Sequence, residues 1–217
     1  MLHNTDVLKL YSYHRSSAAY RVRIALNLKG LDYDYVPVNL LESEQKGTAY
    51  LARNPLGLVP ALESDAGDLL TQSVAILEWL EETGPEPALL PVDPLPRARV
   101  RALVNTVTCD IHPLNNLSVL KHLRDELQVN QAQVHHWYCT WVQRGFEAIE
   151  QTLAASPGAF CCGDRPTLAD VCLVPQVFNA NRFEVPMAPY PNIRRVTATC
   201  NTLTAFARAA PAEQPDA

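Results

Sequence analysis

The 217-residue sequence lacks long apolar runs and clusters of basic residues. No window approaches the roughly 20 apolar residues of a membrane span, and MLHNTDVLKLYSY has no charged stretch followed by an apolar one. Lysine and arginine number 18 against 23 aspartates and glutamates, a formal net charge of -5, without a run that would follow a phosphate backbone. We therefore predict a cytoplasmic protein with a small-molecule partner, no nucleic acid and no membrane segment.

The sequence also lacks any Cys-x-x-Cys pair. Zinc sites, thioredoxin-type dithiols and disulfide frameworks need paired spacings, and His112 has no second histidine at a metal-binding distance along the chain. We predict no metal site and interpret the cysteines as buried, reduced, small apolar side chains. The six are Cys109, Cys139, Cys161, Cys162, Cys172 and Cys200.

The first part of the chain alternates short strands with helices. VLKLY alternates like a strand, AAYRVRIALNLKG has helical spacing before Gly30, and DYDYVPVNL is a second strand. TAYLARN is then a short helix, VPALES and DLLTQ form a hairpin, and SVAILEWLEET is a helix with Ser73 as its N-cap. The order βαβαββα predicts an α/β layer over residues 1–86, with two parallel strands followed by an antiparallel hairpin.

A proline-rich stretch follows this layer. GPEPALLPVDPLPRAR contains five prolines and cannot be a continuous helix or a central strand, so we predict a linker over residues 87–96. Segments such as QAQVHHWYCTWVQRGFEAIEQTLA and TLADVCLVPQVFNANRF have helical patterns. They predict an all-helical domain over residues 97–217, with a frayed end at PAEQPDA.

Two junctions between a strand and a helix carry small polar side chains. Ser16 and Ser17 stand at the first junction, and Gln72 with Ser73 at the second. A helix N-terminus offers free N–H groups and the positive end of the helix dipole, so such a junction can hold an anion. Ser73 can be interpreted as an ordinary N-cap or as a donor to a substrate carboxylate. Two junctions facing one cleft would be more informative than either alone.

The segment NPLGLVPAL places Pro60 at the entrance of a predicted strand. A trans proline is awkward there, whereas a cis Val59-Pro60 bond would turn the chain sharply, and both isomers stay open. A cis bond would leave the N–H and C=O of Val59 pointing outward. An extended peptide could then pair with them as one more strand would.

Further candidates lie in the second half of the chain. His112, in CDIHPLNNLSVL, is either a solvated or hydrogen-bonded residue or a ligand contact. Thr167 and Asp170 fit a capping-box variant, so we expect folding determinants rather than catalysts. Arg182 near a helix end is either a partner of the last carbonyls or a carboxylate clamp, because a guanidinium matches a carboxylate two bonds at a time. Arg15 is open to the same two interpretations.

Together these segments resemble a known family. RSSAAYRVRIALNLKG, NPLGLVPAL, QSVAILEWLEE, HPLNNLSVLK, GDRPTLADVCLVPQVFNANRFEV and PYPNI, in this order over nearly the whole chain, are similar to zeta-class glutathione transferases, the maleylacetoacetate isomerase family. A maleylpyruvate isomerase branch looks equally close. The resemblance implies a glutathione transferase fold: an N-terminal thioredoxin-like domain that binds glutathione, then a C-terminal helical bundle. It also implies a homodimer.

The resemblance implies roles for individual residues. Ser16, with Ser17 beside it, would hydrogen-bond the glutathione thiolate as the catalytic hydroxyl, and Val59 would pair with the cysteinyl backbone of the tripeptide. Arg15 and Arg182 would hold the carboxylates of a dicarboxylic substrate. The implied glutathione-binding positions are Ser16, Ser17, Ala18, Gln45, Val59, Gln72, Ser73, His112, Asn116, Leu117 and Ser118, of which Gln72 and Ser73 would hold the γ-glutamyl carboxylate.

The sequence departs from the family at one of these positions. Family members commonly have Ser-Ser-Cys where this chain has Ser16-Ser17-Ala18. Because the reacting thiolate belongs to glutathione, isomerisation is expected to survive.

A helix N-terminus and a hydroxyl both lower the pKa of a bound thiol, since they stabilise its charged form.

The expected reaction is a glutathione-dependent cis–trans isomerisation of a maleyl diketo acid. The thiolate adds to the cis double bond, the resulting single bond rotates, and elimination returns glutathione with the trans product. Maleylacetoacetate and maleylpyruvate both fit, in aromatic amino-acid breakdown or a gentisate route. The alternatives are a general glutathione S-transferase that conjugates electrophiles and a non-catalytic binding module on the same fold.

Overall fold

The structure is a computed structural model that describes Leu2 and residues 7–217. The chain divides into two compact units. The first comprises Met1–Leu89 with Asn201–Ala217, and the second comprises Leu90–Cys200. No helix in the described part of the chain is both long and apolar enough to span a membrane.

The first unit contains a mixed four-stranded sheet. Its strands are β1 (Leu8–Ser12), β2 (Tyr33–Pro37), β3 (Ala61–Glu63) and β4 (Leu69–Thr71), in the spatial order β2-β1-β3-β4. Strand β1 is parallel to β2 and antiparallel to β3, which is in turn antiparallel to β4. The predicted order of two parallel strands followed by an antiparallel hairpin is confirmed.

Nine α-helices accompany the sheet in the described part of the chain. They are α1 (Ser17–Leu28), α2 (Thr48–Leu51), α3 (Ser73–Thr83), α4 (Pro94–Asn105), α5 (Leu117–Asp125), α6 (Gln131–Ala154), α7 (Leu168–Arg182), α8 (Pro191–Asn201) and α9 (Thr204–Ala209). Short 3₁₀ turns cover Glu44–Lys46, Pro113–Asn115 and Pro211–Glu213, and a π-helical segment covers Thr106–Ile111.

Helix α1 follows directly from its sequence. Ser16 caps its N-terminus by accepting the N–H of Ala19 at 3.2 Å, which satisfies one of the free donors of the first turn. Val22 and Leu26 are fully buried on the core face. Gly30 follows the helix with φ 64°, the left-handed conformation that stops helices and that glycine adopts without strain.

The segment after α8 differs from the sequence-based expectation. The sequence predicts that it belongs to the helical domain and has a frayed end, but α9 and its following turn lie in the first unit, where α9 packs against α1. Phe206 and Ala209 are fully buried there, and Asn27 of α1 donates to the carbonyl of Ala205 at 3.0 Å. The expectation of a frayed end at PAEQPDA is wrong, because Pro211 and Gln214 are buried and Asp216 accepts the N–H of His14 at 3.0 Å.

The proline-rich stretch ends in a helix start. Pro94 and Pro96 lie in the first turn of α4, where a proline's missing N–H costs nothing. Leu89 and Leu90 are both buried, and the boundary between the two units falls between them. The stretch before Pro94 is neither helix nor strand, as its prolines predict.

Helix α7 forms the centre of the second unit, with most of its residues buried. Its start is fixed by Asp170, which is fully buried and accepts the N–H and hydroxyl of Thr167 at 2.8 and 2.9 Å. Asp170 also accepts the N–H of Cys161 at 2.8 Å. The capping-box interpretation of Thr167 and Asp170 is confirmed by these contacts.

The π-helical segment approaches α6 closely. At Gly145 of α6, a Cβ atom would overlap the side chain of Ile111, the last residue of the segment. A larger residue at this crossing would force the fully buried Ile111 side chain to move. Segments of this kind interrupt the regular helical hydrogen bonds and are frequent near functional sites, and His112 follows directly.

Candidate functional site

The turn between β1 and α1 presents Ser16 at a helix N-terminus. The N–H of Ser16 donates to the carbonyl of Tyr13 at 2.9 Å, which closes the turn. Its hydroxyl oxygen accepts the N–H of Ala19, and this leaves the hydroxyl proton for a ligand. Ser16 is half-buried, Ser17 is buried and Arg15 is exposed. The hydroxyl can thus donate to an anion that the helix dipole also attracts.

The second junction is backbone-strained. Gln72 has φ 70° and ψ 114°, and α3 begins at Ser73 without a side-chain cap from Gln72. Non-glycine residues in such conformations cost about 1–3 kcal/mol and cluster at ligand sites. The N-cap interpretation of Ser73 was wrong, because Ser73 is the first residue of the helix. Its hydroxyl instead accepts a hydrogen bond from Arg21 Nη1 at 3.2 Å.

The same hydrogen bond brings the two junctions together. Arg21 lies one turn into α1 and is buried, with 2% of its surface exposed. By reaching Ser73, it joins the N-terminal part of α1 to the first residue of α3, and the two helices pack against each other. Ser16, Ser17 and Ser73 therefore belong to one region of the first unit.

Val59 lies at the entrance of β3 with a free backbone. The Val59-Pro60 bond is cis, one of the two isomers that the sequence left open. Next to it, the carbonyl of Leu58 accepts the hydroxyl of Tyr50 and the side-chain amide of Asn54, each at 2.7 Å. No backbone hydrogen bond within the described residues uses the N–H or C=O of Val59.

The fixed neighbourhood of Val59 includes the first junction. Val59 packs in one apolar cluster with Tyr11, Tyr13 and Tyr50, and Tyr13 opens the turn that carries Ser16. Burial raises the pKa of Tyr50 to about 12, so its hydroxyl stays a donor to the Leu58 carbonyl. Val59 can therefore offer its N–H and C=O from a rigid support.

Gln45 contributes a buried acceptor without a partner. It lies in the 3₁₀ turn Glu44–Lys46 and is 9% exposed, and its Oε1 has no hydrogen-bond partner within the described residues. Gly57, with φ 60°, approaches this turn so closely that a Cβ would lie 2.7 Å from the Gln45 carbonyl. A buried acceptor of this kind needs a donor from water or from a ligand.

The candidates of the second unit lie at the start of α5 and directly after the π-helical segment. Asn116 caps α5, where its Oδ1 accepts the N–H of Val119 at 3.0 Å and the hydroxyl of Ser118 at 2.6 Å. Leu117 beside them is 44% exposed. His112 ends the π-helical segment and donates its N–H to a carbonyl of that segment. Asn116 and Ser118 thus have a structural role at the start of α5, which uses the hydroxyl proton of Ser118 but not the side-chain amide donors of Asn116.

Arg182 is the last residue of α7 and is exposed. Its guanidinium carbon lies 4.8 Å from the centre of the Phe183 ring, and that ring stacks on Tyr138 with 4.0 Å between centres. Burial raises the pKa of Tyr138, while the charge of Arg182 acts in the opposite direction. The guanidinium thus lies over an aromatic pair, an attractive cation–π arrangement, and its planar donors have the geometry that a carboxylate needs.

Four of the chain's own cysteines have raised pKa values and are therefore poor nucleophiles. Burial, followed by the charge of Asp170, raises the pKa of Cys162 to about 11. Burial also raises the pKa of Cys139, Cys161 and Cys200. The expectation of buried thiols holds for Cys161, Cys172 and Cys200, whereas Cys139 and Cys162 are half-buried and Cys109 is exposed.

Sequence reasoning missed two buried arginines of α1. Arg21 and Arg23 are 2% and 0% exposed, although arginine is almost never fully buried unless paired. The available signal was their position in AAYRVRIALNL, where a basic residue recurs within an apolar helix.

Across Leu2 and residues 7–217, no group of three or more histidine, cysteine, aspartate or glutamate side chains could hold a metal ion.

Comparison with known proteins identifies both halves of the chain. Residues 10–88 match the glutathione S-transferase N-terminal domain, and residues 141–198 match the glutathione S-transferase C-terminal domain. The chain is 52% identical to a maleylpyruvate isomerase of a Ralstonia species, covering 96% of this chain and 99% of that protein. It is 53% identical to the maleylacetoacetate isomerase of Pseudomonas aeruginosa, covering 96% and 98%.

Solved structures agree with these relatives. The holo structure of a maleylpyruvate isomerase, a bacterial glutathione S-transferase of the zeta class, superposes with a TM-score of 0.94 at 52% identity, covering 96% of this chain and 99% of that one. A maleylacetoacetate isomerase from Anaeromyxobacter dehalogenans 2CP-1, with glutathione bound in its active site, gives 0.89 at 49% identity and covers 98% of both chains.

A third structure holds two ligands. The maleylacetoacetate isomerase of Methylobacterium extorquens AM1, with bound malonate and glutathione, gives a TM-score of 0.93 at 40% identity and covers 96% of this chain and 99% of that one. The fold predicted from the sequence, a thioredoxin-like layer followed by a helical bundle, is confirmed as the glutathione transferase fold. The chain belongs to the glutathione S-transferase family, in the zeta class that contains these isomerases.

Proposed function

We propose that the protein is a glutathione-dependent cis–trans isomerase of a maleyl diketo acid, either maleylacetoacetate or maleylpyruvate. The observation that carries the proposal is the pair of helix N-termini at Ser16 and Ser73, joined through Arg21. The strained Gln72 directly precedes Ser73, and Val59 packs in one apolar cluster with Tyr13, which closes the turn that carries Ser16. The high identity to isomerases of both substrates supports this reaction over others of the family.

Glutathione would be held in the first unit as an extended peptide. Val59 would donate and accept the two hydrogen bonds of its cysteinyl backbone. Gln72, Ser73 and the N-terminus of α3 would hold the γ-glutamyl carboxylate, and the unpartnered Oε1 of Gln45 would accept from the peptide. The sulfur would then lie at the start of α1, beside Ser16.

The thiolate is the nucleophile of the proposed reaction. A donating hydroxyl and a helix N-terminus both stabilise its charge, so the pKa of the bound thiol falls. The sulfur forms a bond to one olefin carbon, and the π electrons move to the conjugated carbonyl as an enolate. After rotation about the new single bond, the enolate collapses and the carbon–sulfur bond breaks. The thiolate is recovered, so glutathione is a recycled cofactor and no oxidant or reductant is needed.

Arg15 and Arg182 are the proposed carboxylate partners of the substrate. Fixing both ends of a dicarboxylate positions the olefin carbon against sulfur, which removes much of the entropic cost of the addition. Two cations are a poor lining for apolar electrophiles, so the pair favours isomerisation over general conjugation. His112, Asn116, Leu117 and Ser118 remain predicted ligand contacts, with Ser17 and Ala18 at the start of α1.

The absorbance change of maleylpyruvate and of maleylacetone, with and without glutathione, tests the function. We expect glutathione-dependent isomerisation at constant total thiol, and the faster substrate indicates the pathway. Consumption of thiol in step with product would instead show conjugation. Lack of reaction together with failure to bind immobilised glutathione would show a non-catalytic module.

Location and assembly complete the proposal. A homodimer and a cytoplasmic location are carried by the resemblance to the family. Sedimentation equilibrium of the purified chain measures its mass directly, and a monomer at all concentrations would contradict the dimer. Fractionation of the source cells tests the location.

A further inference from the structure

The segment that follows α9 reaches the turn in front of α1, residues 13–16. Asp216 Oδ2 accepts the backbone N–H of His14 at 3.0 Å, and Oδ1 accepts the hydroxyl of Tyr35 in β2 at 2.6 Å. Asp216 Oδ2 also lies 3.4 Å from His14 Nδ1, with the two side chains 17% and 11% exposed. A largely buried carboxylate therefore holds the backbone of this turn and ties it to the parallel strand.

Arg23 holds the same turn from α1. The side chain of Arg23 is fully buried, and its Nη2 donates to the carbonyl of His14 at 3.0 Å. Its Nη1 donates to the hydroxyl of Ser12 at 3.1 Å and to the carbonyl of Tyr13 at 3.5 Å. Its Nε donates to the carbonyl of Ala209 at 3.0 Å. One arginine thus binds both the turn and the end of α9.

The two charged side chains act on opposite sides of one residue. Asp216 accepts a hydrogen bond from the N–H of His14, and Arg23 donates one to the C=O of His14. Both backbone groups are therefore fixed by charge-assisted hydrogen bonds, which are roughly twice as strong as neutral ones. Two residues further along, Ser16 closes the turn and begins the helix. The position of the Ser16 hydroxyl depends on where His14 is held.

Other contacts hold the segment without Asp216. Gln214 is buried, and its side-chain amide donates to the carbonyls of Arg208 and Ala210, both at 2.9 Å. Pro211 is also buried. Since these contacts anchor the segment to itself and to the first unit, the bonds of Asp216 act on the turn rather than on the segment.

We propose that Asp216 is a positioning residue of the thiol site, which acts through His14 to fix Ser16 at the N-terminus of α1. This proposal rests on the proposed function, because the positioned group is the hydroxyl assigned to the glutathione thiolate. Asp216 contacts neither the sulfur nor the substrate in this assignment. The segment after α9 then belongs to the first unit both by its packing and by its effect on the reaction.

The test compares Asp216→Ala and Asp216→Asn with the control Glu213→Gln. Glu213 is an acidic residue of the same segment, and its side chain is exposed. The ultraviolet absorbance of the thiolate, followed against pH, gives the pKa of bound glutathione. We expect Asp216→Ala to raise this pKa and to lower kcat/KM by about tenfold, because Ser16 is misplaced. Asp216→Asn is expected to lie between, since its amide retains one acceptor oxygen. Glu213→Gln should match the unsubstituted protein.

A second variant tests the same carboxylate from its other side. Tyr35→Phe removes one donor to Asp216 and leaves the carboxylate in place. We expect a smaller rise in the thiol pKa in the same direction. A lowered melting temperature in these variants, with unchanged thiol pKa and unchanged KM for glutathione, would mean that Asp216 has only a structural role and would overturn the proposal.

Failure of the proposed function can be recognised separately. If the unsubstituted protein does not bind glutathione, the thiol measurements fail for every variant, and amide hydrogen exchange then tests the positioning. Faster exchange at Ser16 and Ala19 in Asp216→Ala than in Glu213→Gln would support a role of Asp216 in fixing the turn. Equal exchange in the two variants would overturn that role.

Discussion

The hydroxyl of Ser16 performs two tasks with different atoms. Its oxygen accepts the N–H of Ala19 as a helix cap, and its proton is assigned to the glutathione thiolate. Ser16→Ala removes both, so we expect the pKa of the bound thiol to rise and kcat/KM at neutral pH to fall by about a hundredfold. The rising limb of the pH profile should move to higher pH, because deprotonation of the thiol then requires a higher pH.

The conservative variant separates these two tasks from mere loss of structure. Ser16→Thr keeps a hydroxyl that can cap and donate, and we expect it to retain the pH profile. An unchanged thiol pKa in Ser16→Ala, measured on folded protein, would show that another group stabilises the thiolate.

The proposed role of Arg182 in binding a substrate carboxylate can be tested with one variant that removes its charge and one that keeps the charge but changes the donor geometry. Arg182→Ala is expected to raise KM for the dicarboxylic substrate and to leave glutathione binding unchanged. Arg182→Lys retains the charge but loses the paired donors, so it should recover only part of the activity. Arg144→Ala is the matched control, because Arg144 is likewise exposed and lies over a ring, that of Trp141, at 5.6 Å. Equal effects of the two alanine variants would contradict the carboxylate assignment.

At the scale of elements, the start of α3 stores strain at the proposed carboxylate site. Gln72→Gly removes the strain of φ 70°, worth about 1–3 kcal/mol, against an entropic loss of about 0.5–1 kcal/mol for glycine. We expect the free energy of unfolding to rise by roughly 1 kcal/mol while glutathione binding weakens. Urea unfolding and titration calorimetry measure the two effects.

Gln128 is the control for this variant. It is also a glutamine with positive φ, at 54°, and it has no assigned role at the proposed site. Gln128→Gly should therefore leave glutathione binding unchanged. If Gln72→Gly bound glutathione as tightly as the unsubstituted protein, the strained residue would have no part in the site.

The elements that the sequence predicted well are those fixed by local interactions. The alternation in VLKLY and the spacing before Gly30 determine β1 and α1 within a few residues. The start of α3 was misplaced by one residue, because Gln72 adopts a conformation that its own side chain does not favour. The partners of Arg21 and Arg23 could not be predicted, since they lie up to 186 residues away.

At the scale of the whole molecule, the sequence predicted where strands and helices begin better than it predicted the path of the chain. The residues at Ser16, Val59 and Ser73 precede or begin regular elements, so their patterns are local. The return of α9 to the first unit depends on a complementary surface of α1, and no local pattern records such a surface. Hydrophobic spacing shows that α9 has a buried face but not what covers it.

A buried ion pair lies close to the last residues of the first unit before the unit boundary. Lys29 Nζ lies 3.2 Å from Glu81 Oε2, with the two side chains 1% and 6% exposed. The same ammonium donates to the carbonyls of Pro85 and Pro87 at 3.1 and 3.3 Å, and Glu81 accepts the N–H of Leu89 at 2.8 Å. The end of α1 and the body of α3 are thereby connected to the last residues before the unit boundary.

Lys29→Met should therefore destabilise the protein more than the loss of a surface pair would. It removes the buried ammonium that faces the Glu81 carboxylate, at a cost of about 3–5 kcal/mol in the free energy of unfolding, measured by urea unfolding. Adding Glu81→Gln also removes the carboxylate charge and should restore part of the loss. Lys9→Met is the control, because its pair with Glu63 is 44% exposed on the lysine side and should contribute little. Equal losses for Lys29→Met and Lys9→Met would show that burial does not set the strength of this connection.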